Sequence, residues 1–386
     1  MKFIDLQCQY AAYRDEIDAR VQTVLEHTQF VMGPEIEEFE QKLAERVGVK
    51  HVVTTSSGTT SLEIALRALE IGSGDEVITP PFSFVASTEV VRLVGATPVF
   101  VDIEEHSFNI DPTAIESAIT DKTKAVIAVD LFGQMADYTR LNEIAEKRPV
   151  TVIEDAAQSF GAVQDGRASG GASEIGSTSF FPTKTLSCFG DGGALFTNDD
   201  HRAERIRNLR LHGGERADYR YVGTNGRFDT LQAAVLLAKL PHLDDELEVR
   251  RRLAGKYSEA LGDVCVVPEV SEGNTHVFTP YTVRVRKRNE VRIMLRRAGI
   301  PSAIYYPRCL HQQPAYADFG SVGDFPVAEQ AAREVLSLPL HPFLRESDQD
   351  FVISELRAII KNLAVGLDGS AVVESGSLDQ GSTDPT

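Results

Sequence analysis

Short apolar runs alternate with helix-forming segments along the first two-thirds of this 386-residue sequence. The runs have the length of strands, and several are apolar throughout, which is typical of strands buried on both faces. They are His51–Ser57, Asp75–Pro81, Thr97–Ile103, Lys124–Asp130, Val150–Ala157, Gly176–Phe181 and Ala194–Thr197. Between the first two runs, Thr59–Glu70 places its apolar side chains on one helical face. The alternation predicts an α/β fold with a mostly parallel, seven-stranded sheet that helices cover on both faces.

The pattern changes after a long helix that is predicted to begin at Pro241. Strands are predicted at Tyr281–Arg286 and Ser302–Tyr306 with helices around them, which indicates a small α+β unit. Beyond Val365 the chain is rich in Gly, Ser and Asp and has no aromatic residue, Lys or Arg, as disordered tails do. We therefore predict a large α/β domain at residues 1–245, a small C-terminal α+β domain at residues 246–365 and a disordered acidic tail at residues 366–386.

The charge balance excludes some classes of partner. Asp and Glu number 57 against 39 Lys and Arg, so the net charge is −18, whereas nucleic acids and anionic membranes are bound by basic surfaces.

The start MKFIDLQCQY has no apolar signal core, and no run approaches the roughly 18 apolar residues of a membrane span. The four cysteines form no CxxC pair. We expect a cytoplasmic protein with reduced thiols, no metal site, and neither nucleic acid nor membrane as partner.

Polar motifs follow several predicted strands, at the edge of a parallel sheet where ligands bind. The first is SSGTT, Ser56–Thr60, which joins a strand to a helix. Such a segment can bind a phosphate, because it offers free backbone N–H groups, hydroxyls and a glycine that allows close approach. The same residues also make an ordinary helix N-cap. This motif indicates a phosphate site only in combination with others.

Two further motifs supply a carboxylate and an amine. In VIEDAAQSFGA, Val152–Ala162, Asp155 can hold a cationic ring nitrogen or cap a helix, and an amide follows at Gln158. In SFFPTK, the hydroxyl of Ser179 comes five residues before the amine of Lys184. Isolated loop lysines are usually only solvated, but a lysine in a partly desolvated loop is a plausible reactive amine. A phosphate cradle, a carboxylate and a lysine in this order meet the needs of pyridoxal 5′-phosphate (PLP).

Six segments resemble signatures of the DegT-type nucleotide-sugar aminotransferases, a branch of the fold-type I PLP enzymes. They are GDEVITPPFSFVAS, PVFVDI, VIEDAAQSFGA, TSFFPTKTLSCFGDGGALFTND, GTNGRFDTLQAA and SLPLHPFL, in the family's order. The similarity extends from FIDLQCQY to about Asn362. It implies that Lys184 bonds covalently to PLP, that Asp155 pairs with the pyridine nitrogen and that Gln158 binds the ring oxygen.

The resemblance also implies the remaining cofactor contacts. Gly58, Thr59 and Ser179 match phosphate-binding positions, and Phe84 matches an aromatic residue that stacks on the cofactor ring. Asn225 matches an asparagine that reaches the phosphate of the neighbouring subunit's cofactor. The implied assembly is a homodimer with shared active sites.

The resemblance further suggests the reaction and its substrate. Lysine at position 184 favours transamination, with glutamate as amino donor, over the dehydration that relatives with histidine there catalyse. The segment AGIPSAIYYPRCLHQQPAYAD resembles enzymes of surface-polysaccharide (O-antigen) biosynthesis that act on UDP-2-acetamido-2-deoxy-3-oxo-glucuronate, although Tyr305-Tyr306 replaces their usual His-Tyr pair. Arg227 is a candidate partner for a carboxylate. The alternative substrate is a 4-keto-6-deoxyhexose nucleotide, as in perosamine synthesis.

A regulatory, non-enzymatic role is the competing interpretation, since such roles were proposed in this family. The sequence offers no DNA-binding motif and no basic face for it. An intact set of Lys184, Asp155 and Gln158 favours the enzyme.

Overall fold

A seven-stranded sheet forms the centre of the computed structural model, which describes residues 1–215 and 218–365. The predicted tail at residues 366–386 lies outside the described residues. The strands are β1 His51–Thr55, β2 Glu76–Thr79, β3 Thr97–Phe100, β4 Thr123–Val129, β5 Thr151–Asp155, β6 Val163–Gln164, β7 Arg167–Ala168, β8 Ile175–Ser179, β9 Gly193–Thr197, β10 Gly214–Glu215, β11 Asp218–Tyr219, β12 Tyr281–Arg284 and β13 Val335–Leu338. The helices are α1 Leu6–His27, α2 Pro34–Val47, α3 Gly58–Ala68, α4 Ala86–Leu93, α5 Pro112–Ala118, α6 Tyr138–Lys147, α7 Asp200–Arg210, α8 Thr230–Lys239, α9 Leu243–Leu261, α10 Arg288–Arg297, α11 Pro326–Glu334 and α12 Glu346–Val365.

The large sheet has the order β1-β9-β8-β5-β4-β2-β3. Strand β9 runs antiparallel to both of its neighbours, while the other adjacent pairs are parallel. The predicted mostly parallel, seven-stranded sheet is therefore confirmed. The parallel register places the ends of β4, β5 and β8 side by side, because Val129 pairs with Asp155 and Asp155 pairs with Ser177.

Both faces of the sheet are buried, as the apolar strands predict. Val152 and Ile153 are consecutive in β5, yet they belong to different hydrophobic clusters. Successive side chains of a strand point to opposite faces, so each cluster is one side of the sheet. Helices α2, α6 and α8 contribute to the cluster of Val152, and α3, α4 and α7 to that of Ile153.

A third hydrophobic cluster gathers around the antiparallel pair β12–β13. Helix α9 connects it to the sheet, since Leu247 packs in the cluster of Val152 and Tyr257 in the third cluster. The predicted boundary at residues 245 and 246 falls inside this continuous helix and stays a prediction. No helix in the described part of the chain is long and apolar enough to cross a membrane.

The predicted strand at Ser302–Tyr306 is wrong. Only Ala303 pairs there, in a single bridge with Ser337. Tyr306 instead packs against Phe82 and Phe84, which follow β2 of the large sheet.

Candidate active site

A cradle of small residues lies where β1 meets α3. Ser57 caps the helix, since its Oγ accepts a hydrogen bond of 3.0 Å from the backbone N–H of Thr60. Gly58 and Thr59 open the helix, and the first N–H groups of a helix have no partner within it. A Cβ added to Gly58 would lie 2.8 Å from Cβ of Ser179, at the end of β8. The fold thus brings the three predicted phosphate-binding residues together.

Gly193 is a residue of this cradle whose role the sequence analysis missed. A Cβ added there would lie 2.6 Å from the carbonyl carbon of Ser57 and 2.7 Å from the nitrogen of Gly58. The glycine pair in GDGG looks like a turn signal before β9, and nothing local indicates that β9 pairs antiparallel with β1. Only glycine allows the two backbones to approach so closely.

Gly193→Ala should therefore weaken PLP binding by about tenfold or more, because overpacking typically costs about 1–3 kcal/mol. The measurement is a PLP titration of the cofactor-free protein. Gly255→Ala in α9 is the matched control, since a Cβ there meets nothing within 4 Å and binding should not change. Wild-type affinity in Gly193→Ala would contradict the assignment of this cradle to the phosphate.

Asp155 and Lys184 form the electrostatic centre of the site. Asp155 is the last residue of β5, is 7% exposed, and accepts a hydrogen bond of 3.1 Å from the N–H of Ala157. Burial raises the pKa of Asp155, which the N–H of Ala157 and the charge of Lys184 oppose. Burial lowers the pKa of Lys184, and the charge of Asp155 opposes that shift. The neutral, nucleophilic amine of Lys184 is thus more populated than that of a solvated lysine.

The loop between β8 and β9 holds Lys184 in place. Its backbone N–H donates to the carbonyl of Phe181 at 2.9 Å, and the N–H of Cys188 donates to the carbonyl of Phe180 at 2.8 Å. Thr185 Oγ1 donates to the carbonyl of Phe160 at 2.8 Å. The lysine is therefore carried by a closed loop that packs on the segment following Asp155.

Gln158 is fixed by two contacts on its amide. Its Oε1 accepts from the backbone N–H of Phe132 at 2.9 Å, and its Nε2 donates to the hydroxyl of Tyr306 at 3.3 Å. An amide nitrogen carries two hydrogens, so one remains to donate elsewhere. The side chain can thus offer a fixed donor to a ring oxygen.

Aromatic rings line the site beside Gln158. The ring of Phe84 is 53% exposed and lies 6.3 Å from that of Tyr306, which lies 6.3 Å from Phe82. Burial raises the pKa of Tyr306, so its hydroxyl stays protonated. Tyr305 lies farther out, 6.5 Å from Phe3. Phe84 can cover a planar ligand, whereas Tyr306, expected to contact the sugar, also contacts the predicted cofactor residue Gln158.

Asn225 and Arg227 lie on a segment that runs along the cradle of the same chain. Between them, Gly226 accepts a hydrogen bond of 3.0 Å from the N–H of Ser56 through its carbonyl. Asn225 is exposed and Arg227 is half-buried. No ion pair of Arg227 occurs among the described residues, so its guanidinium can bind an anion. That Asn225 binds the cofactor phosphate of a neighbouring subunit stays a prediction.

These residues fit PLP. The cradle is closed by glycines that a Cβ would obstruct, and it opens at the N-terminus of α3, where phosphate is favoured. Among the described residues, the carboxylate of Asp155 accepts one hydrogen bond, from the N–H of Ala157, which leaves it able to bind a ring N–H. The amine of Lys184, whose pKa burial lowers, the exposed ring of Phe84 and the second amide hydrogen of Gln158 complete the set of groups that PLP needs.

Comparison with known proteins agrees with this chemistry. Residues 12–357 match the sequence profile of the DegT/DnrJ/EryC1/StrS aminotransferase family. The UDP-2-acetamido-2-deoxy-3-oxo-D-glucuronate aminotransferase of Pseudomonas aeruginosa is 47% identical over 346 residues, which span 89% of this chain and 96% of that protein. The UDP-N-acetyl-3-dehydro-α-D-glucosamine 3-aminotransferase of Acidithiobacillus ferrooxidans is 42% identical over 365 residues, 94% of this chain and 98% of that protein.

Solved structures show the same fold. A DegT DnrJ EryC1 StrS aminotransferase from Brucella abortus has a TM-score of 0.91 at 44% sequence identity, over 93% of this chain and 99% of that one. NtdA of Bacillus subtilis, solved with bound cofactor PMP, has a TM-score of 0.86 at 32% identity, over 93% of this chain and 83% of that one. The predicted fold, enzyme class and cofactor are thereby confirmed, and the chain belongs to the DegT/DnrJ/EryC1/StrS family of PLP-dependent aminotransferases.

Proposed function

We propose that this aminotransferase moves an amino group from glutamate onto a nucleotide-linked keto-sugar, with UDP-2-acetamido-2-deoxy-3-oxo-glucuronate as the preferred acceptor. The observation that carries the reaction is the placement of half-buried Lys184 and buried Asp155 beside the glycine cradle, where each charge shifts the pKa of the other group. The enzyme would serve the synthesis of a surface polysaccharide such as O-antigen, in the cytoplasm.

Each site residue has a defined task in this proposal. The backbone N–H groups of Gly58 and Thr59 and the hydroxyl of Ser179 bind the phosphate. Phe84 covers one face of the cofactor ring, and Gln158 donates its free N–H to the ring oxygen.

The protonated pyridine ring of bound PLP withdraws electrons from the reacting carbon of the amino acid or sugar. Asp155 keeps the proton on the ring nitrogen through an ion pair. Lys184 would carry the cofactor. In the first half of the reaction its Nζ would take the proton from the α-carbon of glutamate and deliver it to C4′ of the cofactor, and in the second half it would move a proton from C4′ to the sugar carbon that receives the amino group.

The choice of sugar has two supports. The two relatives compared above act on 3-oxo or 3-dehydro sugars linked to UDP, as their names say, which favours amination at carbon 3 over carbon 4. Arg227 lacks an ion pair among the described residues and can bind the carboxylate of a uronate. Tyr305 and Tyr306 offer hydroxyls and ring faces to the sugar.

A panel of amino sugars tests the acceptor through the reverse half-reaction. The holoenzyme is mixed with UDP-, dTDP- or GDP-linked 3-amino and 4-amino sugars, and the change in cofactor absorbance is followed. We expect the UDP-linked 3-amino uronate to react fastest, and Arg227→Gln to reduce that preference over the neutral 3-amino sugar by tenfold or more, since a lost charged partner costs about 1.5–3 kcal/mol. If a 4-amino-6-deoxyhexose reacts and the 3-amino uronate does not, the acceptor is instead a 4-keto-6-deoxyhexose nucleotide, as in perosamine synthesis.

The functional unit in this proposal is a homodimer, because Asn225 supplies a phosphate ligand to the neighbouring subunit. Sedimentation of the holoenzyme should give twice the chain mass of 42.3 kDa. Asn225→Ala should weaken PLP binding without changing the sedimentation coefficient. A fully active monomer would contradict the shared site.

The proposal also divides the chain into two domains, at residues 1–245 and 246–365. The tail at residues 366–386 should be dispensable, so its deletion should leave activity unchanged.

A further inference from the structure

Two buried carboxyl groups lie beneath the active site and have no role in the function proposed above. Asp130 follows the last residue of β4, and Glu154 precedes Asp155 in β5. Ala128 pairs with Glu154 in the parallel register, and side chains two residues apart share a face. Asp130 and Glu154 therefore lie on the face of the sheet opposite to Asp155. Both side chains are 0% exposed.

Asp130 accepts three hydrogen bonds from two different segments. Its Oδ1 accepts from the N–H of Ala136 at 2.9 Å and from the hydroxyl of Tyr138 at 2.8 Å. Its Oδ2 accepts from Oγ of Ser159 at 2.6 Å. Asp130 thus connects the start of α6 to the segment that follows β5.

Glu154 holds the loop before β8. Its Oε1 accepts from the N–H of Gly170 at 2.6 Å, and its Oε2 accepts from the N–H of Ala172 at 3.0 Å. Ser169 in the same loop is 2.6 Å from Ser159, hydroxyl to hydroxyl. Glu154 is also within hydrogen-bonding reach of Ser169 and of Asp130, so the two carboxyl groups belong to one buried hydrogen-bond network.

In the part of the chain that the structure describes, this network contains acids but no compensating cation. Among the described residues, no Lys, Arg or His forms an ion pair with Asp130 or Glu154. Within residues 1–215 and 218–365, the titratable group that contacts the pair is Tyr138 from α6, whose hydroxyl donates to Oδ1 of Asp130, while Asp155 of β5 lies on the opposite face of the sheet. Tyr138 stays neutral, because burial and the neighbouring carboxylates raise its pKa. Two carboxylates in such surroundings cannot both ionise without a large cost.

The direction of both pKa shifts agrees with a retained proton. Burial raises the pKa of Glu154 to about 7, against the hydrogen bonds that it accepts. Burial, and then the charge of Glu154, raise the pKa of Asp130 well above its usual range.

The pair is connected to two of the proposed cofactor residues. The backbone N–H of Asp130 donates to the carbonyl of Asp155 at 3.1 Å. Ser159, which Asp130 binds, is the neighbour of Gln158 in the chain. Phe132, two residues after Asp130, donates its N–H to Oε1 of Gln158.

We propose that Asp130 and Glu154 share a single proton and that this carboxyl pair positions Asp155 and Gln158 from beneath the sheet. The positioning part rests on the cofactor roles proposed above, whereas the shared proton does not. Once a second negative charge forms, repulsion should loosen the segment that carries Gln158.

Infrared spectroscopy of the full-length protein, with and without PLP, tests the shared proton. A protonated buried carboxyl should give a C=O band above the amide bands near pH 6, where ordinary carboxyl groups are ionised, and the band should weaken as the pH rises past neutrality and Glu154 loses its proton. Glu154→Gln and Asp130→Asn should each weaken the band near pH 6, because each removes one of the two carboxyl groups that can hold the proton. Glu35→Gln is the matched control, since buried Glu35 has His27 as partner at 3.1 Å, and it should keep the band. A wild-type protein without the band, or a band that neither substitution weakens, overturns the proposal.

The pH dependence of unfolding gives a second measure of the same proton. The folded pKa of Glu154, about 7, lies above its unfolded value, so its contribution to stability is full below pH ~4 and is lost as the pH rises towards 7. In that window the unfolding equilibrium constant of the wild type should rise by up to about tenfold per pH unit relative to Glu154→Gln. Equal slopes in the two proteins contradict the proposal.

Rescue by a conservative variant tests the positioning role. Asp130→Ala removes the acceptor for Ser159 and should weaken PLP binding at least tenfold, whereas Asp130→Asn keeps a carbonyl acceptor and should stay within threefold of wild type. Equal affinities of the two variants overturn the positioning role. Failure of wild-type protein to bind PLP would instead defeat the proposed function, and the infrared result would still decide the shared proton.

Discussion

Lys184→Ala is expected to abolish turnover, with a loss of more than about 10⁴-fold, the upper end for one proton-transfer group. The variant loses both the covalent bond to the cofactor and the base that moves the proton. The fold should persist, because Lys184 contributes no hydrogen bond through its side chain among the described residues and a loop carries it. Cofactor binding should weaken but remain measurable, since the cradle at Gly58 and the partner at Asp155 are intact.

Borohydride reduction followed by peptide mapping identifies the reacting lysine directly. In the wild type we expect the label on Lys184 alone. Lys239 is the most useful comparison. Burial lowers its pKa to about 8, which favours the reactive neutral amine, but the side chain is only 4% exposed and its Nζ donates to Ser187 Oγ at 2.7 Å, so we expect no label there. Lys50→Ala is the activity control, since that exposed lysine pairs with Asp200 on the surface and should be dispensable. Label on Lys239 or Lys50 would overturn the assignment of Lys184.

Asp155→Asn should lower the rate of the half-reaction by about 10²–10³-fold while leaving the fold intact, which corresponds to roughly 3–4 kcal/mol of barrier. The amide cannot hold the proton on the pyridine nitrogen as an anion does, so the ring withdraws electrons less strongly. In the wild type the charge of Asp155 raises the pKa of Lys184 against the effect of burial. Without that charge, the pKa of Lys184 should fall below its wild-type value. The measurement is the single-turnover rate with glutamate, together with circular dichroism to check the fold.

Asp200→Asn is the control for this substitution, because Asp200 lies on the surface and its partners are Lys50 and His51. It should retain full activity. A rate for Asp155→Asn within about threefold of the wild type, only ~0.65 kcal/mol of barrier, would show that another group holds the ring nitrogen.

The sequence by itself determined the layered α/β fold and predicted which residues react. Runs such as Lys124–Asp130 and Val150–Ala157 are apolar on successive residues, and only a strand covered on both faces buries both sets of side chains. The carboxyl ends of parallel strands meet at one edge, so Asp155 and Ser179, each the last residue of its strand, could be expected near each other. That inference needs only local patterns and chain order.

The tertiary structure alone decided which distant segments touch. Gln158 meets Tyr306 across 148 positions of the chain, and the local pattern at Ser302–Tyr306 suggested a strand instead. Gly193 closes the phosphate cradle only because β9 pairs with β1, and Asp130 faces Glu154 only because β4 lies beside β5. Periodicity fixes which face a side chain occupies, but the order of strands depends on packing between segments far apart in the chain. For that reason the shared carboxyl pair beneath Asp155 could be recognised only in the folded protein.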